Sequence, residues 1–228
     1  MKHEHRAAML DRLRTVADLV LDHSECAEVF QKHRIDFCCR GDLTLEQAAK
    51  GRQLDVDTLV TELTSVIETR KGPPPIDVRT LSTPQLVAHI LLHHHDPLCR
   101  ALPLVRTLAN KVGRVHGEHN PKLLDLKSEV DALCTVLTPH LDEEVRSVFP
   151  VLSGELPTRE AVEAMTEDHE AISALLVRIR AASEDFALPD WACMSYRTLF
   201  SELRQLEAQL SARLHLENHV LRPRFASA

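Results

Sequence analysis

"PKLLDLKSEVDALCTVLTPHLDEEVRSVF", residues 121–149, decides the fold. Its apolar residues Leu123, Leu126, Val130, Leu133 and Leu137 recur at the three- and four-residue spacing of one helix face. The stripe then runs on through His140, Glu144 and Val148. A histidine and a glutamate four residues apart share a face and can reach one metal ion or an adjacent pair. The leucines bury that face, so both side chains are expected to point inward. A buried carboxylate is costly without a compensating partner. The pair therefore predicts either a cation or a helix end emerging into solvent.

Three more segments carry such stripes. Helices are expected over about Ser82–His116, Pro121–Phe149, Pro157–Ser183 and Pro189–Arg222. Prolines 121, 157 and 189 suit first turns, and Pro150 and Pro223 suit helix ends. The breaks "GEHNP", "PVLSGELP" and "EDFALPD" are short, which makes successive helices antiparallel neighbours. The fold class is all-α, an up-down four-helix bundle over residues 81–228. Upstream, "RKGPPPIDVRT" (70–80) reads as a stiff linker at 71–80. It follows a small helical domain, 1–70, with helices near 12–21, 24–33, 45–51 and 55–69, Ser24 and Asp55 serving as N-caps. Seventy residues are marginal for an independent core. That domain is expected to lean on the bundle or on a partner, a second copy of the chain (a homodimer) among the candidates.

Composition narrows the function classes. Six glycines and 4% aromatics leave little for a sheet, and a net charge of −7 argues against a nucleic-acid surface. No run of 18 apolar residues offers a membrane span, and "MKHEHRAAML" lacks the apolar core of a signal peptide. A cytoplasmic protein is expected.

Other inward residues can be placed on the same wheel. In the third bundle helix His169 lies within the stripe Val162, Met165, Ile172, Leu176, Ile179. In the first, Ala88, Leu91, Leu92, Leu102 and Val105 surround His95, and Cys99 is read as inward core. Antiparallel neighbours joined by short loops have residue numbers of roughly constant sum. His140 then pairs with about residue 97 across the first turn and about residue 168 across the second. His95, His140 and His169 thus share a level, which favours a metal. His116 belongs to the far end, and His93, His94 and His119 are expected to face solvent or loops. In the last helix Leu199, Leu203, Leu206 and Leu210 lead on to Arg213 and Glu217, which point inward. His215 and His219 fall about 200° away and are expected to point out.

"DFCCRGD" sets Cys38 beside Cys39. Adjacent Cα atoms lie about 3.8 Å apart, so a disulfide between them would be strained and easily reduced. Arg40 would favour the thiolate. The pair reads either as two small buried residues or as a reactive dithiol. Cys26, Cys134 and Cys193 read as core or incidental thiols.

With "RIDFCCRGDLTLEQAA", "HHHDPLCRALP", "PHLDEEVRSVFPVL", "MTEDHEAISALL" and "LENHVLRPR" together, nearly the whole chain resembles the YtfE/ScdA family, the repair-of-iron-centres proteins that include NorA and DnrN. The resemblance implies a hemerythrin-like bundle with an oxo-bridged, non-haem di-iron centre held by four histidines and two bridging glutamates. These carry onto His95, His140, Glu144, His169 and Glu217. The fourth histidine is expected four residues before Glu217, where this chain has Arg213. A guanidinium has no lone pair to give, so the second iron is expected to be short of a ligand, labile or missing. The resemblance also implies work for Cys38 and Cys39, in handling iron or a damaged cluster or in redox exchange. The expected function is repair of iron–sulfur proteins damaged by nitrosative or oxidative stress, by an iron donor rather than a conventional enzyme. The second reading is a nitric oxide or oxygen trap or sensor. The third is a relative that has lost its centre and acts by protein contacts.

Overall fold

The computed structural model describes residues 10–72, 76–154 and 158–225. Prolines 73–75 of the expected linker and Pro157 lie outside the described residues. Among the described residues the regular structure is helical, with a single isolated bridge between Thr15 and Thr44. The chain divides into two compact units, Met1–Thr80 and Leu81–Ala228.

The first unit holds α1 (Val16–Asp22), α2 (Cys26–Lys32), α3 (Leu45–Gly51) and α4 (Val56–Thr69). Thr15 and Asp55 cap α1 and α4, and Thr44 forms a capping box with Gln47 on α3. Ser24 is not a cap, because α2 starts later, behind Glu25. Short helices cannot stand alone. These are held by a core of Val16, Leu19, Phe30, Phe37, Leu45, Leu59 and Leu63. Residues 76–80 end in a 3₁₀ turn whose Arg79 pairs with Asp22 at 2.8 Å.

The second unit begins with α5 (Thr83–Ile90), capped by Ser82 and Gln85, and continues through α6 (Asp96–His116) and α7 (Lys122–Glu143). The short helices α8 (Phe149–Leu152) and α9 (Arg159–Thr166) lead to α10 (His169–Ala182) and α11 (Met194–Leu216). Helix α6 packs on α7 and α11, α7 on α10, and α10 on α11, which closes a four-helix ring. Leu126, Leu133, Leu137, Ile172, Leu199 and Leu210 fill it.

Among the described residues, three π-helical turns interrupt this regularity: Leu91–His95 between α5 and α6, Glu144–Val148 between α7 and α8, and Glu217–Leu221 after α11. A π turn admits one extra residue and so rotates the downstream face by about 100° relative to an α-helix. That rotation corrects the stripe expected around His95. Leu102 and Val105 are buried as expected, but Leu92 is 63% exposed, Ala88 and Cys99 are exposed, and Leu86, Val87, Ile90 and Leu98 are buried with them instead. The third helix is also broken, at residues 167–168 between α9 and α10. The fourth starts at Met194 rather than Pro189, because Arg197 bonds the carbonyls of Asp190 and Ala192 and holds that stretch as a turn.

Candidate metal centre

Four side chains from three helices meet inside the bundle: His140 near the end of α7, Glu144 one turn on, His169 at the start of α10, and Glu217 just after α11. One ligand atom from each lies within 4.8 Å of all the others. Nε2 of His140 stands 3.4 Å from Oε1 of Glu144, and Nε2 of His169 stands 3.3 Å from Oε2 of Glu217. All four residues are buried, Glu217 completely. Nε2 of His140, Oε1 of Glu144 and Oε2 of Glu217 make no well-directed hydrogen bond. Buried polar atoms left this way are costly, and a cation resolves that cost. Two imidazole nitrogens and two carboxylate oxygens suit iron, zinc or manganese, so the set fits one such ion.

Neighbours orient the histidines. Nδ1 of His169 donates to Oδ1 of Asn218 at 2.8 Å, which leaves the Nε2 lone pair on the cluster side. Nδ1 of His140 faces Oδ2 of Asp168 at 3.5 Å. Burial alone would lower the pKa of His140, but Glu144 and Glu217 raise it. A cleft of about 320 Å³ opens beside the cluster, lined by His140, Glu143, Glu144, Glu167 and Asp168 among others.

Arg213 fills the other side of the carboxylate pair. It is fully buried. Its Nε donates to Oε1 of Glu217 at 2.8 Å, one terminal nitrogen donates to Oε2 of Glu144, and the other donates to Nδ1 of His95 at 3.1 Å. Nε2 of His95 in turn faces the Cys99 sulfur at 3.3 Å. His95 therefore stands outside the four-residue cluster, half-buried, with both nitrogens engaged. Burial first and Arg213 second lower its pKa, so it is held neutral as an acceptor. Burial pushes Glu217 up, but Arg213 outweighs it and, with His169 and His140, brings the pKa down to about 2. Glu144 is raised, by burial first and by the charge of Glu217 second.

Two expectations about histidines are corrected. His215 is 3% exposed, not solvent-facing, because the π turn Leu91–His95 packs on α11 and the end of α11 is buried on nearly every side. His94 is half-buried, and burial lowers its pKa to about 4. Asn218 and Asp168 were not singled out in the sequence. Their adjacency to Glu217 and His169 was the available signal.

In the first unit Asp36, Cys38 and Cys39 form a second group with ligand atoms within 4.8 Å of one another. Oδ1 of Asp36 accepts from the Cys38 and Cys39 amides at 3.1 and 2.8 Å and from the Cys38 thiol at 3.1 Å. A hydrogen bond with Cys39, burial and the Asp36 charge hold the Cys38 thiol well above its ordinary pKa. Cys39 is the more exposed of the two. Alkylation of the native protein at pH 8 is expected to label Cys39 at least about tenfold faster than Cys38, since the thiolate is the reactive form. Peptide mass mapping of a time course checks this, and equal rates would contradict the asymmetry.

Comparison with known proteins bears on both units. A model of a domain of unknown function, ScdA_N, matches residues 12–67, and that of the hemerythrin HHE cation binding domain matches residues 86–225. The iron-sulfur cluster repair protein YtfE of Cronobacter sakazakii is 30% identical over 218 residues, 95% of this chain and 97% of that protein. The chain belongs to the ScdA/YtfE family. Staphylococcus haemolyticus has an iron-sulfur cluster repair protein ScdA that is 29% identical over 217 residues, 92% of this chain and 97% of its own length. A Yersinia pestis YtfE is 28% identical over 215 residues, 93% and 96% of the two chains. The hemerythrin HHE match covers the whole buried cluster, so in this ScdA/YtfE chain the cation-binding domain and the His/Glu group coincide. Among the described residues no helix is long and apolar enough to cross a membrane.

Proposed function

We propose that the protein repairs iron–sulfur clusters damaged by nitrosative or oxidative stress, holding iron on His140, Glu144, His169 and Glu217 and giving it up to the damaged cluster. The observation that carries this reading is the convergence of four buried ligand atoms in a chain whose relatives bear the name of cluster repair. Bound iron would supply both the metal to be donated and a Lewis-acidic centre for a small ligand. The protein's own part is to keep two imidazole lone pairs and two carboxylate oxygens aimed at one point, away from water. Asn218 fixes the His169 ring, and Arg213 fixes both carboxylates. In the first unit, Cys39 is the thiol that would meet a damaged cluster or take up released iron, and Cys38 follows it. Such a protein consumes its cargo and is not a conventional enzyme. It would work in the cytoplasm, where thiols stay reduced, with damaged iron–sulfur proteins as partners.

The test is reactivation of an iron–sulfur enzyme whose cluster has been degraded by nitric oxide. Iron-loaded protein is expected to restore activity under anaerobic conditions in the presence of a thiol reductant and sulfide. His169→Ala and the double variant Cys38→Ser/Cys39→Ser are each expected to restore less than about a tenth as much, as loss of a metal ligand or nucleophile implies. Recovery no better than with free ferrous iron at the same concentration sinks the repair reading. The second reading, a nitric oxide binding protein, draws on the cleft beside His140 and Glu144, which gives a diatomic molecule a way to the ion.

A further inference from the structure

The two carboxylates of the centre are each split between two partners. Glu144 gives Oε2 to Arg213 and turns Oε1 toward the His140 side, while Glu217 gives Oε1 to Arg213 and turns Oε2 toward His169. Each glutamate thus bridges from the guanidinium to the point where the four ligand atoms converge. Bridging carboxylates in a paired-metal site run from one cation to the other in the same way. We infer that Arg213 occupies the place of the second cation, so that the centre takes a single divalent ion and not a pair.

Three features support this, resting on the cation-binding reading above. The guanidinium's three nitrogens occupy Oε1 of Glu217, Nδ1 of His95 and Oε2 of Glu144, the lone-pair atoms that a second ion on that side would need. His95 has its Nδ1 lone pair committed to Arg213 and its Nε2 beside Cys99, so the remaining histidine of a pair is spent as well. Charge agrees with the geometry. Two buried carboxylates and one permanently charged guanidinium leave one negative charge, and one divalent ion brings the set to a single positive charge. A second divalent ion would have to enter against both the first ion and Arg213 in a buried space. Arg213 is therefore a positioning residue: it holds both carboxylates in the ligating arrangement before any metal arrives, and it prevents them from bridging two metals.

The experiment is an anaerobic titration of the full chain with Co²⁺ as probe, read by elemental analysis, visible absorption and electron paramagnetic resonance. The natural protein is expected to take one cobalt per chain in a nitrogen- and oxygen-ligated site, with the signal of an isolated high-spin ion. Arg213→His is expected to take two, with that signal diminished by coupling, and Arg213→Lys to keep one. Cobalt at the cysteine pair would show sulfur charge-transfer bands, which Cys38→Ser/Cys39→Ser removes from the count. Two coupled ions in the natural protein overturn the inference and leave the repair reading standing. No cobalt in the bundle overturns the metal reading itself. Should Arg213→His fail to fold by circular dichroism, the count and resonance signal of the natural protein still decide the matter.

Discussion

Arg213→Met is expected to cost the metal-free bundle about 3–5 kcal/mol, because it strands two buried carboxylates without their shared cation. Trp191 is the single tryptophan of the chain and lies in the bundle unit, so its fluorescence follows unfolding there in denaturant. The midpoint is expected to fall while the slope holds, the signature of lost stability without lost compactness. Glu144 already lies above the ordinary carboxylate range through burial and the nearby Glu217, and removing Arg213 takes away the charge that lowers both carboxyls, so Glu144 rises further and Glu217 loses what holds it low. A carboxyl whose folded pKa exceeds its unfolded value contributes stability below the unfolded pKa and loses it as pH rises through the folded one. The deficit of Arg213→Met is therefore expected to be larger at pH 8 than at pH 5. Saturating divalent metal should return part of it by binding only the folded state. A loss under about 1 kcal/mol at pH 8 would show that water reaches these carboxylates and that the clamp is unimportant.

The second large effect is expected at Asn218→Ala. The amide oxygen of Asn218 fixes the His169 tautomer and ring, and removing such a support typically weakens metal binding about 10–100-fold. Competition with a calibrated chelator measures the affinity, and the number of ions per chain is expected to stay unchanged. An unaltered affinity would mean that backbone position at the start of α10, and not the side-chain hydrogen bond, aims the imidazole.

The leucine stripes of α7 and α11 were legible because an unbroken α-helix keeps one face for many turns. They carried the reading correctly to His140, Glu144, Arg213 and Glu217, all of them buried. That a histidine is expected where Arg213 stands came from the family resemblance, and the stripe of α11 added only that Arg213 points inward. Reading failed where the helix changed pitch. Around His95 the π turn displaced the wheel by one residue, so Leu92 and Cys99 were assigned inward when they are exposed. His215 failed for another reason. A wheel ranks the faces of one helix but does not know how many faces its neighbours cover, and the end of α11 is enclosed on nearly all of them. Asn218 and Asp168 carry no periodic signal. Their roles arise only when α10 and the end of α11 are brought together.

All three π turns have one of the discussed ionisable residues at an end: His95 closes the first, Glu144 opens the second and Glu217 opens the third. Anyone wishing to transplant this centre meets the same obstacle three times. Copying the four clustered residues and Arg213 onto an ideal, uniformly wound bundle would reproduce the spacing His140–Glu144 within one helix. The chain beyond each of the three turns would then leave at the wrong azimuth, and the walls that cover His94 and His215 would not form. A faithful graft carries one surplus residue in each of these three turns, and shortening one of them by a residue should displace His95, Glu144 or Glu217 respectively while leaving the helix count intact.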